Sequence, residues 1–177
     1  EADHYRSYYS SKALIKEALA HWNSSHDFSV YDSNGDGKLD YFMVCWTGPD
    51  EGWGNLWWAW CDMHANDFAN DSFTVDGKKP GVYSWQWESR PVGNDFHASV
   101  VIHETGHALG LPDYYDYDET VGVAGGVGGL DMMAANWGDH NAWSKFLLGW
   151  MSPTVVSSSE TITTLSLRPS SEYADSV

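Results

Sequence analysis

The residues from His103 to Asp113, HETGHALGLPD, concentrate metal-ligating and proton-transferring side chains at short, regular spacing in this chain of 177 residues. Two histidines four apart project from one face of a helix, so His103 and His107 can grip a single metal ion, and Glu104 then stands beside it without binding it. On composition alone, His-Glu-x-x-His arises by accident somewhere in such a chain with a frequency of roughly one to two per cent. Adding Gly110 and Asp113 at their offsets lowers the accidental expectation to roughly one in several thousand. Gly110 permits a sharp reversal after the helix, and the residue three further on can swing back as a third ligand, a place held by Asp113.

Three protein ligands would leave a bound zinc a fourth position for water, the arrangement of catalytic rather than structural zinc. Glu104 is placed to take a proton from that water as general base. Asp116 or His140 in place of Asp113 is the alternative third ligand. His4, His21, His26, His64 and His97 read as surface or hydrogen-bonded histidines.

An element must hold each of these groups. Val100, Val101 and Ile102 before the motif, with Ala108 and Leu109 after it, are expected to form the buried side of its helix, ended by Gly110 and Pro112. An amphipathic helix is expected over Ser11–Trp22, with Leu14, Ile15, Ala18, Leu19 and Trp22 on its apolar face. Tyr41–Thr47, YFMVCWT, reads as a central strand covered on both faces, and Trp57–Trp60 as another short strand. Phe73–Val75 and Val82–Glu88 read as strands joined by a turn over 76–81. The alternation in VYSWQWE marks a half-exposed strand, at an edge that could receive an extended peptide.

Residues 114–138 are glycine-rich and aperiodic, as in a loop lying over a site. His140–Trp150 is expected to be a helix with Trp143, Phe146, Leu147 and Trp150 on one side, and Thr161–Leu167 alternates weakly, as in strands. The fold class is α+β: a mixed twisted sheet with an active-site helix and a C-terminal helix. One domain is expected over 1–177, with an upper lobe 1–113 and a lower lobe 114–177.

Asp32-Ser33-Asn34-Gly35-Asp36-Gly37-Lys38-Leu39-Asp40 alternates oxygen-bearing side chains around glycines, as in the first part of a calcium loop. Asp32, Asn34 and Asp36, the Lys38 carbonyl and Asp40 are the expected ligands. Met43 stands where a full EF-hand needs its bidentate glutamate, so a shorter loop closed by Asp40 is expected, with an ion-free Asx turn as the alternative.

With 9 Lys and Arg against 25 Asp and Glu, the net charge of −16 repels phosphate backbones and anionic membranes, so neither nucleic acid nor membrane is an expected partner. Cys45 and Cys61 admit either one disulfide or two buried thiols. The aromatic load of 11 Trp, 10 Tyr and 6 Phe is expected to fill the core, the alternative being a sugar-binding platform built on Trp53, Trp57, Trp58 and Trp60.

HETGHALGLPDYYD, the glycine-rich loop, GLDMMA and AWSKFLLGW, together with the upstream DSNGDGKLDYFMVCWTG, resemble the immune inhibitor A family of secreted bacterial zinc metallopeptidases over roughly residues 28–150. The resemblance implies a metzincin-like catalytic domain excised from a longer secreted protein. It implies zinc on His103, His107 and Asp113, Glu104 as catalytic base, and Met133, or the adjacent Met132, in a methionine turn beneath the metal, with calcium expected on the acidic loop from that loop's own oxygens. A protein or peptide substrate and a monomeric state follow. The competing readings are a calcium-dependent, aromatic-rich carbohydrate-binding module and a metallopeptidase relative that has lost catalysis.

Overall fold

A computed structural model describes residues 8–47, 50, 52–53, 57–88, 96, 98–118, 120–121, 125–159, 164, 166, 168–169 and 171–173. The fold is α+β, and the chain divides into two compact units, Glu1–Gly110 and Leu111–Val177.

The first unit begins with helix α1, Tyr8–Trp22. Its packed stripe is Ser11, Ile15 and Leu19 with Leu14 alongside, a spacing of three and four residues that keeps one face inward. Trp22, expected on that face, is exposed, as is Ala18. A 3-10 turn over Phe28–Tyr31 follows, its first turn capped by the Asp27 carboxylate on the Ser29 N–H. The strands are β1, Tyr41–Trp46, β2, Trp60–Asp62, and β3, Val82–Trp87, in the order β1-β3-β2. β1 runs parallel to β3, with Tyr41 opposite Val82 and Trp46 opposite Trp87, and β2 runs antiparallel, with Cys61 opposite Ser84. The sheet is therefore mixed.

The order overturns two strand assignments made from the pattern alone. β3 is the middle strand, buried from Tyr83 to Trp87, whereas β1 flanks it and is only half covered. The polar alternates misled because the face carrying Ser84 and Gln86 lies under a helix rather than in water. Ser84 Oγ is satisfied by the Tyr41 hydroxyl at 2.6 Å, and that hydroxyl reaches Thr105 Oγ1 of the overlying helix at 3.4 Å. The small, hydrogen-bonded Ser84 lets the helix approach the sheet closely, whereas Gln86 Oε1 is buried on the same face with no hydrogen-bond partner among the described residues. No strand forms over Phe73–Val75. Only Val75 pairs, with Lys78, around a two-residue turn in which Asp76 and Gly77 both take positive φ, 47° and 77°. The expected strand over Trp57–Trp60 is displaced to Trp60–Asp62, and the strands expected over Thr161–Leu167 fall largely outside the described residues.

The opposite sheet face is aromatic. Tyr83, Trp85 and Trp87 are buried and stack against cross-strand and loop partners: Phe42 on Tyr83 at 5.3 Å, Trp60 on Tyr83 at 5.2 Å, Trp57 on Trp85 at 5.5 Å and Trp58 on Trp87 at 4.7 Å between ring centres. Each such ring buried removes on the order of 2–3 kcal/mol of apolar surface cost from water. Three of the four tryptophans considered for a sugar platform are thus spent on the core, and Trp53 alone of them is exposed.

Gly81, just ahead of β3, has no room for a side chain, since a Cβ there would lie 1.9 Å from the Leu39 carbonyl oxygen. The close approach lets the pairing begin early, with Leu39 N–H on the Lys79 carbonyl at 2.9 Å and Lys79 N–H on the Gly37 carbonyl at 3.0 Å. Gly81→Ala is expected to lower stability by about 2–3 kcal/mol through this overpacking. Urea unfolding at equilibrium measures it, and an unchanged midpoint would show that the two segments can part freely.

The second unit is built around two short helices, α3, Met132–Ala135, and α4, Ala142–Leu147. Among the described residues, Leu111, Met132, Met133 and Met151 are its buried apolar side chains. The expected helix over His140–Trp150 is cut to six residues, and Trp143, Phe146, Leu147 and Trp150, expected to pack, are exposed. Asn141 starts it by capping the Ser144 N–H at 3.0 Å, and Gly149 in the left-handed region closes it.

Candidate metal centre

The HExxH residues lie on α2, Ala98–Ala108, which packs on β3 and β2. Its buried stripe is Val100, His103, Glu104 and His107, whereas Ile102 and Leu109, expected to be inside, are exposed. The chemistry-bearing face is thus the buried face. The two imidazoles meet edge to face, with ring centres 4.8 Å apart and planes at 86°. Gly110 takes φ +100°, with its N–H on the His107 carbonyl at 2.9 Å, and this left-handed residue turns the chain out of the helix towards Asp113.

His103, His107 and Asp113 each offer one ligand atom, and these three atoms lie within 4.8 Å of one another. A tetrahedral zinc with bonds near 2.0–2.1 Å needs its ligand atoms about 3.3 Å apart, a spacing that falls inside the 4.8 Å span of this set. Two nitrogens and one carboxylate oxygen are also the right donors. Of the alternatives, Asp116 accepts the Asp118 N–H at 2.9 Å, and His140 is buried with Nδ1 3.6 Å from Asp131 Oδ1.

Glu104, between the two histidines in sequence, is 6% exposed. Burial, followed by the charges of Glu104 and Asp62, pushes the Cys61 thiol up to about 12. Cys61 and Cys45 are both free, Cys45 being exposed. They lie on β2 and β1, on either side of β3, two strand spacings or about 10 Å apart, beyond the reach of a disulfide.

In the second unit Met133 is fully buried, and its carbonyl accepts the N–H of Tyr114, the residue after Asp113, at 3.0 Å. Two residues that the sequence reading passed over organise this part. Asp131 caps α3 by accepting Met133 N–H at 2.7 Å, and also takes Asn141 N–H and Ser144 Oγ–H, each at 2.7 Å. Burial opposes its ionisation, but those three donors and the nearby His140 outweigh it and hold the carboxyl below the usual range. An aspartate just before a short apolar helix was the available signal. Tyr117, although largely exposed, donates its hydroxyl to Asp113 Oδ2, and partial desolvation, then this bond and the neighbouring Tyr115, raise its pKa. Nothing in the spacing of DYYDY singled it out.

The acidic loop folds onto its own backbone. Asp32 accepts the Asp36 and Gly37 N–H groups at 3.0 Å each, Asn34 also accepts Asp36 N–H at 2.9 Å, and Asp36 accepts Lys38 N–H at 2.9 Å. Asp40 takes both the N–H and the hydroxyl of Ser33, at 2.9 and 2.6 Å. The Lys78 ammonium, 2.6 Å from Asp32, holds that carboxyl below its usual range.

Among the described residues no helix is long and apolar enough to cross a membrane. No family model matches the chain. Immune inhibitor A of Bacillus thuringiensis subsp. alesti is similar to it, with 31% identity over 128 residues, covering 60% of this chain and 19% of the relative. The chain therefore spans about a fifth of that relative's length.

Proposed function

We propose that the chain carries the catalytic centre of a secreted, metzincin-like zinc endopeptidase. The observation that carries this reading is the convergence of His103, His107 and Asp113 ligand atoms within 4.8 Å, with the buried Glu104 adjoining on the same helix. The similarity to Immune inhibitor A supports it. Zinc bound there would act as a Lewis acid, polarising the scissile carbonyl and acidifying the attacking water. Glu104 takes the proton from that water and delivers it to the departing amine. Burial serves this role, because a carboxylate removed from bulk water exchanges its proton with the reacting groups rather than with solvent. Asp113 contributes the negative charge that two neutral imidazoles lack. Met133 provides a packed support, tied through its carbonyl to the residue after Asp113. The substrate is a protein or peptide, and the acidic surface disfavours nucleic acid.

Zinc content after dialysis and casein cleavage test this together. Asp113→Ala is expected to lose both, with zinc affinity falling by at least about 100-fold. A variant that retains zinc and cleaves casein at the wild-type rate would exclude Asp113 as ligand.

The same reading assigns calcium to Asp32, Asn34, Asp36, the Lys38 carbonyl and Asp40, supported by the alternating oxygens and by the open turns at Gly35 and Gly37, φ +75° and +84°. Calcium must there compete with Lys78 for Asp32. Saturating calcium, at about 100 times its dissociation constant, is expected to raise Tm by roughly 5–10 °C over protein in chelator. Asp36→Ala should abolish the rise. A wild-type Tm indifferent to calcium would remove this ion from the proposal.

A further inference from the structure

We infer that Tyr117 is a positioning residue for Asp113, its hydroxyl holding Oδ2 so that one carboxylate oxygen remains for the metal; this rests on the zinc reading above. An ionised carboxylate offers about four lone-pair sites and can swing or chelate in several ways, so an aspartate ligand on a turn needs a partner to fix it. Here the backbone and the side chain are fixed separately. The Tyr114 N–H on the Met133 carbonyl, at 3.0 Å, anchors the chain immediately after Asp113. The Tyr117 hydroxyl, four residues on, anchors the carboxylate itself.

The segment carrying Tyr117 is itself ordered by a run of Asx turns, with Asp118 N–H on Asp116 at 2.9 Å and Thr120 N–H on Asp118 at 3.1 Å. The Tyr115 ring packs against the Tyr117 ring with centres 4.9 Å apart, and their hydroxyls lie 3.3 Å apart. A phenol has one proton, and the charged acceptor takes it, because a hydrogen bond to a carboxylate is roughly twice as strong as one between neutral groups. Tyr117 is 68% exposed, so water competes for the same bond and the effect belongs at the lower end of what outer ligands contribute.

Tyr117→Phe removes the hydroxyl and keeps the ring. In the full chain, it is expected to raise the Zn2+ dissociation constant about 10-fold, read by competition with a chromophoric chelator. The visible absorption bands of the Co2+-substituted protein should shift, reporting changed geometry at the metal. Tm of the metal-free protein should not move. Tyr115→Phe should weaken Zn2+ less. Unchanged Zn2+ affinity and an unchanged Co2+ spectrum in Tyr117→Phe would overturn the role of Tyr117 while leaving the zinc reading standing. A fall in metal-free Tm that alone accounts for the lost affinity would overturn it too, in favour of packing. Wild-type protein that takes up neither Zn2+ nor Co2+ would overturn both.

Discussion

Glu104→Gln is expected to keep its zinc and lose about 10²- to 10⁴-fold in casein cleavage. The substitution preserves shape and burial on α2 and changes one property, since an amide oxygen cannot accept and hold a proton at neutral pH. Glu104 is buried on the same helix as His103 and His107, so the substitution changes the proton acceptor without exposing a new surface. Zinc stoichiometry and cleavage must be measured on the same preparation. Retained zinc with lost cleavage separates a base from a ligand, and loss of both would instead assign Glu104 to the metal's support. Undiminished cleavage with full zinc would sink the mechanism. The inactive-relative reading differs at this point, because it expects no cleavage from the wild type either.

The largest effect on stability is expected at Asp131. Asp131→Ala strands three donors, the Met133 and Asn141 N–H groups and the Ser144 hydroxyl, in a place where the side chain they met was fully buried. Each orphaned donor costs about 1–3 kcal/mol, and because the three share one site the total should be about 3–5 kcal/mol rather than their sum. The pH dependence has a definite sign. The folded carboxyl lies below its ordinary value of 3.8, so its stabilisation is complete above that value and is lost as pH falls through the lower folded pKa. The difference in unfolding free energy between wild type and Asp131→Ala should therefore be constant at neutral pH and shrink below about pH 4. A difference that persists undiminished into acid would mean that the charge of Asp131 contributes nothing.

The extent to which the fold was legible differs from element to element. α1 and α2 were readable because helical periodicity and end signals are local properties, and both helices run within a few residues of the expected bounds. The strand hierarchy was not. Ser84 and Gln86 look like solvent positions in VYSWQWE, yet they lie beneath the sheet's covering, and only the packing of α2 on β3 makes that face an interior. The last helix failed for the converse reason. Trp143, Phe146, Leu147 and Trp150 repeat like a packed stripe, but periodicity reports what a helix can bury and not whether a surface covers it.

The sequence by itself determined the chemistry on offer: two imidazoles and a carboxylate at offsets of four and ten residues, a glutamate beside the first, and a glycine where the helix must turn. Those are matters of spacing along one helix and its exit, which three or four covalent turns dictate. Tertiary structure alone decided that the motif face is the buried face, that Cys45 and Cys61 stand on opposite sides of β3, and that the hydroxyl four residues past Asp113 folds back onto its carboxylate. Each of these depends on which surfaces meet. Side-chain spacing carries no record of that until the chain has closed on itself.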